Sequence, residues 1–448
     1  MLTKRIAVLT LGAAMAISLI GCGTTSSNSL FEGNSVSEES DNAKANNEEL
    51  RVFWWGSYER HNITIEALDL FSEQENIPLA YEYCSWSDYF DTLSSEVVGN
   101  NMPDIFQMSI TDIRSYAAKG TLLDLTPYIE NETIDTTYAD ESAISSLYIG
   151  DSIYGYPSGI TSVSVAYDPK FFNAAGVSYP KDDWTWDDYV STAKKIYSRT
   201  GVPSDIPFLI EARWLFESWV RSYGYSFFSK DGTSLPWAED EELLAEMTEC
   251  LYDIQDGIEA GYFIAPEEGV NWVDVNDNLI TSGDIAITFI LTNQYALYSE
   301  YSGETLGIVS LPRLEGGTDN SMYASTNLYW CISSSCKDPE NAAKVINFLV
   351  NSEDASDILG TDRGISINTQ IRDHLIEESD DVNTVNTIHY INHVQEIVDG
   401  VICYDPLRST EVVAILKENY IALAFNEMTP EECISDFIER ATIILSKQ

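Results

Sequence analysis

Residues 50–60 read LRVFWWGSYER. Arg51 to Trp55 is a short run rich in the branched and aromatic residues that suit a pleated strand. Ile65, Leu68, Leu70 and Phe71 follow at helical spacing, and Pro78 breaks that helix. Leu79 to Cys84 reads as a second strand. Asp88 to Val98 reads as a helix with Tyr89, Leu93 and Val97 on one stripe. Pro103 to Met108 reads as a third strand and Ile113 to Ala118 as another helix. The order βαβαβα predicts a parallel sheet with right-handed crossovers. Open sheets of this kind bind ligands at the carboxyl ends of their strands. The loops after Trp55, Cys84 and Phe106 are therefore the first places to look for a site.

Outward from that core, the N-terminus sets the compartment. Residues 1–21 read as a signal peptide, with Lys4 and Arg5 ahead of an apolar, charge-free stretch from Ile6 to Ile20. That stretch is shorter than the roughly 20 residues a spanning helix needs. It ends in Leu19-Ile20-Gly21-Cys22, which resembles the lipobox of bacterial lipoproteins. The resemblance implies that Cys22 becomes a lipid-carrying N-terminus (a palmitate-bearing membrane anchor). The alternative is an ordinary signal peptide cleaved nearby, with Cys22 incidental. Residues 22–49 then supply the modified Cys and a Ser-, Asn- and Glu-rich tether. No later segment is apolar and long enough to span a membrane.

The whole chain has 448 residues, with 24 Lys and Arg against 72 Asp and Glu, a formal net charge of −48. That balance argues against a nucleic-acid partner, since phosphate contacts need Lys and Arg. It also disfavours binding to anionic lipid head groups. Aromatic residues make up 12%, too many for a disordered acidic chain. Beyond Cys22 there are six cysteines, with no CxxC and no zinc spacing. His389 and His393 stand at i, i+4, but Ile391-Asn392 offers no acid between them, so no metal and no cofactor is expected. There is no GxSxG, no HExxH and no P-loop. With 72 acids a carboxylate pair can be found anywhere, so their abundance does not indicate a glycosidase.

Eight further motifs, in order along the chain, carry a specific resemblance. Trp54-Trp55-Gly56 with Leu70-Phe71-Ser72-Glu73 is the first and Pro103-Asp104-Ile105 the second. Gly120 to Leu125 follows, then Tyr154-Gly155-Tyr156-Pro157 with Val165-Ala166-Tyr167-Asp168. Trp184 to Tyr189, Ser282 to Ala286, Asp338 to Ala343 and Leu359 to Gly364 complete the set, with Ser366 where a Pro is usual. Together they resemble the extracellular solute-binding proteins of family 1, the carbohydrate receptors of bacterial ABC importers. The resemblance implies an α/β, two-lobed, periplasmic-binding-protein-like fold of type II with a ligand cleft between the lobes. Lobe 1 would be residues 50–156 plus 325–390, and lobe 2 residues 160–320 plus 395–448. Pro157 to Ile160 would form one hinge.

Sugars present C–H faces that stack on aromatic rings and hydroxyls that need fixed donors and acceptors. Sites for them mix aromatic and polar residues on an apolar lining. Trp55, Tyr58 and Arg60 follow the first strand, Trp86 the second, and Gln107 and Ser109 the third. Ser158 lies at the expected hinge. In lobe 2, Glu211, Arg213 and Trp214 form one polar-aromatic group, and Phe289 with Asn293 another. Trp272, Trp330 and Arg363 complete the candidates. Trp184, Trp186 and Trp219 are read as core. The expected function is that of a monomeric, cell-surface lipoprotein on the outer side of a Gram-positive membrane. It captures a sugar or oligosaccharide and passes it to the permease subunits of an ABC importer, whose ATPase is a separate chain. It is not expected to be an enzyme. The alternatives are a non-sugar solute on the same fold, or a surface glycoside hydrolase.

Overall fold

Two sheets of comparable size organise the chain in the computed structural model. It describes residues 49–139, 143–144, 147–271, 278–317, 322–398, 401–402 and 405–447. Cys22 and Trp272 lie outside them. The first half runs β1 (Leu50–Trp55), α1 (Tyr58–Glu75), β2 (Leu79–Cys84), α2 (Trp86–Gly99), β3 (Ile105–Ser109), α3 (Ile113–Ala118) and α4 (Thr126–Glu130). Short strands β4 (Tyr148–Ile149), β5 (Ser152–Ile153) and β6 (Tyr156–Pro157) lead to β7 (Thr161–Tyr167). Then come α5 (Pro169–Ala175), α6 (Trp186–Thr200), α7 (Ala212–Ser222), α8 (Glu241–Ala260), α9 (Pro266–Gly269) and α10 (Leu279–Ser282). Next are β8 (Ile287–Leu291), α11 (Tyr295–Ser302), β9 (Gly307–Val309), β10 (Ala324–Ser325) and β11 (Leu328–Ile332). The chain closes with α12 (Pro339–Asn351), α13 (Glu353–Leu359), α14 (Thr369–Glu378), α15 (Val382–Ile397), β12 (Val401–Ile402), α16 (Ser409–Ala424) and α17 (Pro430–Leu445).

The lobe 1 sheet has the order β2-β1-β3-β11-β6. Its first three strands are parallel, with Phe53 opposite both Glu82 and Phe106. The expectation of a purely parallel sheet stops there, because β11 runs antiparallel to β3 and to β6. Both antiparallel strands adjoin the chain crossings to the other lobe, which no local periodicity encodes. Helices α1 and α2 cover opposite faces. Phe53 and Trp55 contact Tyr89 of α2, while Trp54 contacts His61 of α1. This is the alternation expected of successive strand residues. Both helices have clear ends. Ser57 accepts from the Arg60 N–H at the start of α1, and Asn76 and Asn100 close α1 and α2 in the left-handed conformation.

The second sheet is built around β7, which pairs antiparallel with β8, β9 and β10, while β12 pairs parallel with β10. The chain passes between the sheets from β6 to β7 and from β10 to β11. A third passage lies between α14 and α15. Helix α15 packs on the second sheet, where the Tyr390 hydroxyl donates to the Val163 carbonyl at 2.9 Å. The sequence reading carried lobe 1 to residue 390, whereas α15 sits on the other sheet from Val382 onward. Trp184, Trp186 and Trp219 are buried in lobe 2, 5%, 2% and 1% exposed. The five cysteines among the described residues are all free.

Candidate functional site

The carboxyl ends of β1, β2 and β3 carry the lobe 1 part of the site. Trp55 is 4% exposed and lies under Trp86, whose ring meets it edge-on at 5.0 Å. Trp86 is 55% exposed and also meets Phe90 edge-on at 5.3 Å. The two tryptophans named as candidates are therefore a floor and a cover. Tyr58, at the start of α1, is 75% exposed.

Gln107 is fully buried and its Oε1 accepts from the Trp55 N–H at 3.3 Å. It stands opposite Trp330 in the β3–β11 pairing, and Trp330 is 1% exposed. The Arg363 guanidinium lies 5.6 Å from the Trp330 ring centre and donates to the Thr64 hydroxyl of α1 at 2.7 Å. Arg60 grips Asp362, with Nε to Oδ2 at 2.7 Å and Nη2 to the backbone carbonyl at 2.8 Å. Burial and then the nearby Arg60 charge lower the Arg363 pKa to about 9, while Asp362 acts in the opposite direction. His61 is lowered for the same reasons: burial first, then Arg363 and Arg60.

Ser109 donates to Asp112 at 2.6 Å, and Ser158 donates to the Leu328 carbonyl at 3.1 Å. Both hydroxyls are thus engaged within lobe 1.

Lobe 2 reaches this cluster through Asn293, whose Nδ2 donates to the Asp362 carbonyl at 3.4 Å. A second seam runs through Asp405. Its N–H donates to the Ile110 carbonyl next to Ser109, and its Oδ1 accepts from Arg213 at 2.8 Å. Arg213 also pairs with Glu217 and lies 5.1 Å from the Trp214 ring centre. Burial lowers the Arg213 pKa, but Asp405 and Glu217 more than offset it, so the net shift is upward. Burial raises Asp405, with Arg213 pulling it back. Trp214 is half-buried and stacks on Tyr323 at 6.0 Å, and the Arg221 guanidinium lies over that tyrosine ring at 5.4 Å. Glu211 is exposed and precedes α7 without capping it.

Phe289 is placed differently from the expectation. It is 5% exposed and packs on Tyr189 and Phe208 inside lobe 2. It faces inward because alternate residues of a strand point to opposite faces.

Several polar atoms at these seams are buried and lack a hydrogen-bond partner among the described residues. They are Gln107 Nε2, Asn293 Oδ1, Arg363 Nε, Arg213 Nε and Asp405 Oδ2. An unmet buried group costs roughly 1–3 kcal/mol, so such a concentration suits a place that water or a ligand completes. Tyr323 and Glu217 are site residues that the sequence motifs did not mark, while Asp362 falls inside the Leu359 to Gly364 motif without being singled out. The partner of Asp362, Arg60, lies 302 positions away, whereas Glu217 pairs with its helix neighbours Arg213 and Arg221. Among the described residues no group of three or more His, Cys, Asp or Glu is placed to hold a metal ion. No described helix is long and apolar enough to cross a membrane.

Two α/β lobes joined by short crossings, with an aromatic and polar seam between them, define a receptor that closes over a solute. The chain belongs to the bacterial extracellular solute-binding proteins, whose profile matches residues 61–356. A galactooligosaccharide-binding protein of Bacillus subtilis (strain 168) is 24% identical over 357 residues, 79% of this chain and 78% of the relative. A family 1 extracellular solute-binding protein from Alicyclobacillus acidocaldarius has a similar fold, with TM-score 0.67 and 23% identity, over 89% of this chain and 98% of that one. An ABC substrate-binding protein from Listeria monocytogenes, solved in complex with cycloalternan, reaches TM-score 0.73 at 19% identity, over 89% and 98%.

Proposed function

We propose that this chain is a cell-surface, lipid-anchored receptor that captures a sugar or oligosaccharide and delivers it to the permease of an ABC importer. The observation that carries the reading is the inter-lobe contact of Asn293 with Asp362, set among buried polar atoms that lack partners among the described residues. Hydroxyl groups can donate and accept at such atoms, and C–H faces can cover the aromatic rings. The galactooligosaccharide-binding relative supports a glycan over other solutes. In this reading Trp86, Tyr58, Gln107, Ser109, Arg60, Arg363, Ser158 and Trp330 form the lobe 1 side. Asn293, Glu211, Arg213 and Trp214 form the lobe 2 side, and Trp55 supports Trp86 from below. The receptor binds without turnover, acts as a monomer, and is held at the membrane through Cys22.

Calorimetry of the mature chain against a glycan panel tests this. One glycan should bind, raise the melting temperature and be recovered unchanged. Steady release of a cleaved product, or binding of a non-sugar solute with no response to any glycan, would overturn it.

A further inference from the structure

Paired strand residues point to the same face of a sheet, and successive residues alternate. Phe53 faces α2 and is paired with Phe106, so the next residues, Trp54 and Gln107, share the face that α1 covers. Trp330 is paired with Gln107 and points the same way. Trp54, Gln107 and Trp330 thus form a buried row across β1, β3 and β11. Helix α1 and the turn after α13 lie over that row. His61 meets the Trp54 ring edge-on at 6.3 Å. The Arg363 guanidinium lies 5.6 Å from the Trp330 ring centre and donates to Thr64 of α1. Tyr83 of β2 flanks the layer, stacked on His61 at 4.3 Å. Asn293 of lobe 2 touches the layer at Asp362.

Four nitrogens in this layer are buried and meet no partner among the described residues: Trp54 Nε1, Gln107 Nε2, Arg363 Nε and His61 Nδ1. The first three are donors, and His61 Nδ1 donates in one of its two tautomers. The layer also holds an unbalanced charge. Arg60 and Arg363 share one carboxylate, Asp362, and Arg60 holds it more closely, at 2.7 Å against 3.4 Å. Glu59, which also acts on His61, is exposed to water. At Arg363, burial and the Arg60 charge together outweigh Asp362. A water molecule or a sugar hydroxyl would meet the donors but leave that charge buried and unpaired, which is unfavourable. An anion would satisfy both the donors and the charge.

We infer that Arg363, Gln107, Trp54 and His61 form an anion site between the lobe 1 sheet and α1, which takes one monovalent, carboxylate-like anion. That chemistry is supplied either by the carboxylate of an acidic sugar entering from the lobe 2 side or by a free small anion held beside the ligand. The site goes beyond the sugar-receptor reading and does not depend on it.

The test uses the mature chain in three measurements. Crystals grown in sodium bromide should show an anomalous peak beside Arg363 Nε and Gln107 Nε2. Replacing sodium gluconate by sodium formate at constant ionic strength holds general screening fixed and should raise the melting temperature by about 2 °C or more, because formate binds the folded state. Gln107→Glu keeps an oxygen for the Trp55 N–H and supplies a carboxylate from within. It should melt in gluconate at least as high as the natural chain and lose the formate shift. No bromide at the pocket, equal melting in the two salts, or a formate shift that persists in Gln107→Glu each overturns the inference. Calorimetry with uronic-acid oligosaccharides and their neutral counterparts then identifies the source. Acidic glycans whose affinity falls in formate place the ligand's own carboxylate in the site. Neutral glycans that bind with bromide still in place show a free anion there. No glycan binding at all removes the receptor reading, and the anion site stands on the bromide and formate results.

Discussion

Removing the Trp55 side chain would delete a ring that is 4% exposed and touches Trp86, Tyr89 and Phe90. Large-to-small changes of this kind cost about 3–5 kcal/mol, and Trp55→Ala should lower the urea midpoint accordingly. Trp86→Ala, by contrast, should leave that midpoint nearly unchanged, because most of the ring already faces water. Equal stability in the two variants would contradict this division. The sequence placed both tryptophans at strand ends, Trp55 as the last residue of β1 and Trp86 just past β2, but it could not say which one the other would cover. That depends on Trp86 being the first residue of α2, two positions ahead of the helix start that periodicity suggested. A second residue outside the site also titrates unusually. Asp205 is 2% exposed, and burial pushes its pKa up to about 8, against hydrogen bonds from Thr288 and backbone N–H groups. In the unfolded chain it titrates near 3.9. The folded state therefore prefers the protonated acid. Its stabilising effect is complete below about pH 4, is lost progressively as pH rises, and is gone above about pH 8. Asp205→Asn should thus gain stability relative to the natural chain as pH rises from about 5 to about 9, with the difference flat above that. A difference that shrinks over the same interval would refute the assignment.

At the scale of elements, the crossing between lobes depends on two glycines that meet back to back. Ile160 and Ile365 exchange both backbone hydrogen bonds, at 2.6 and 2.8 Å. A Cβ on Gly159 would lie 2.7 Å from the Gly364 carbonyl carbon, and Gly364 itself has φ of +100°. Neither position tolerates a side chain without separating the two strands of backbone. Gly159→Ala should cost about 1–3 kcal/mol of stability by overpacking. It should also weaken glycan affinity, because Arg363 precedes Gly364 and its placement over Trp330 would shift. Unchanged affinity alongside the lost stability would mean that the pivot is mechanically independent of the site. The β1-α1-β2-α2-β3 order was readable because each element has its own hydrophobic period and end signal, such as Pro78. The antiparallel insertion of β11 was not readable, because β11 lies more than 200 positions from β3 in sequence and its partner is fixed only by the tertiary pairing of Gln107 with Trp330. The same holds for α15, whose packing on the second sheet rather than the first is fixed by tertiary contacts such as that of Tyr390 with Val163.

For the whole molecule, the net charge of −48 bears on closure. Acids exceed bases in both lobes. The arginines at the seams are largely committed to local acids, Arg60 to Asp362, and Arg213 to Asp405 and Glu217. They do little to cancel the repulsion of one lobe by the other. Bringing two net-negative bodies together raises that repulsion, so the charge favours the open state. A ligand must supply enough differential contact to overcome it. Salt weakens repulsion between exposed charges, with a screening length of about 10 Å at 0.1 M. It screens the partly buried seam pairs much less. An uncharged oligosaccharide has no long-range attraction to lose. Its affinity should therefore rise by about twofold or more between roughly 0.02 and 0.3 M sodium chloride. An acidic oligosaccharide would show a steeper rise, because the chain's overall negative field repels it as well. Calorimetry at several ionic strengths with a neutral glycan checks this. A flat profile would mean that the lobes are already closed before binding. A falling affinity would mean that a charged contact, not lobe closure, dominates recognition.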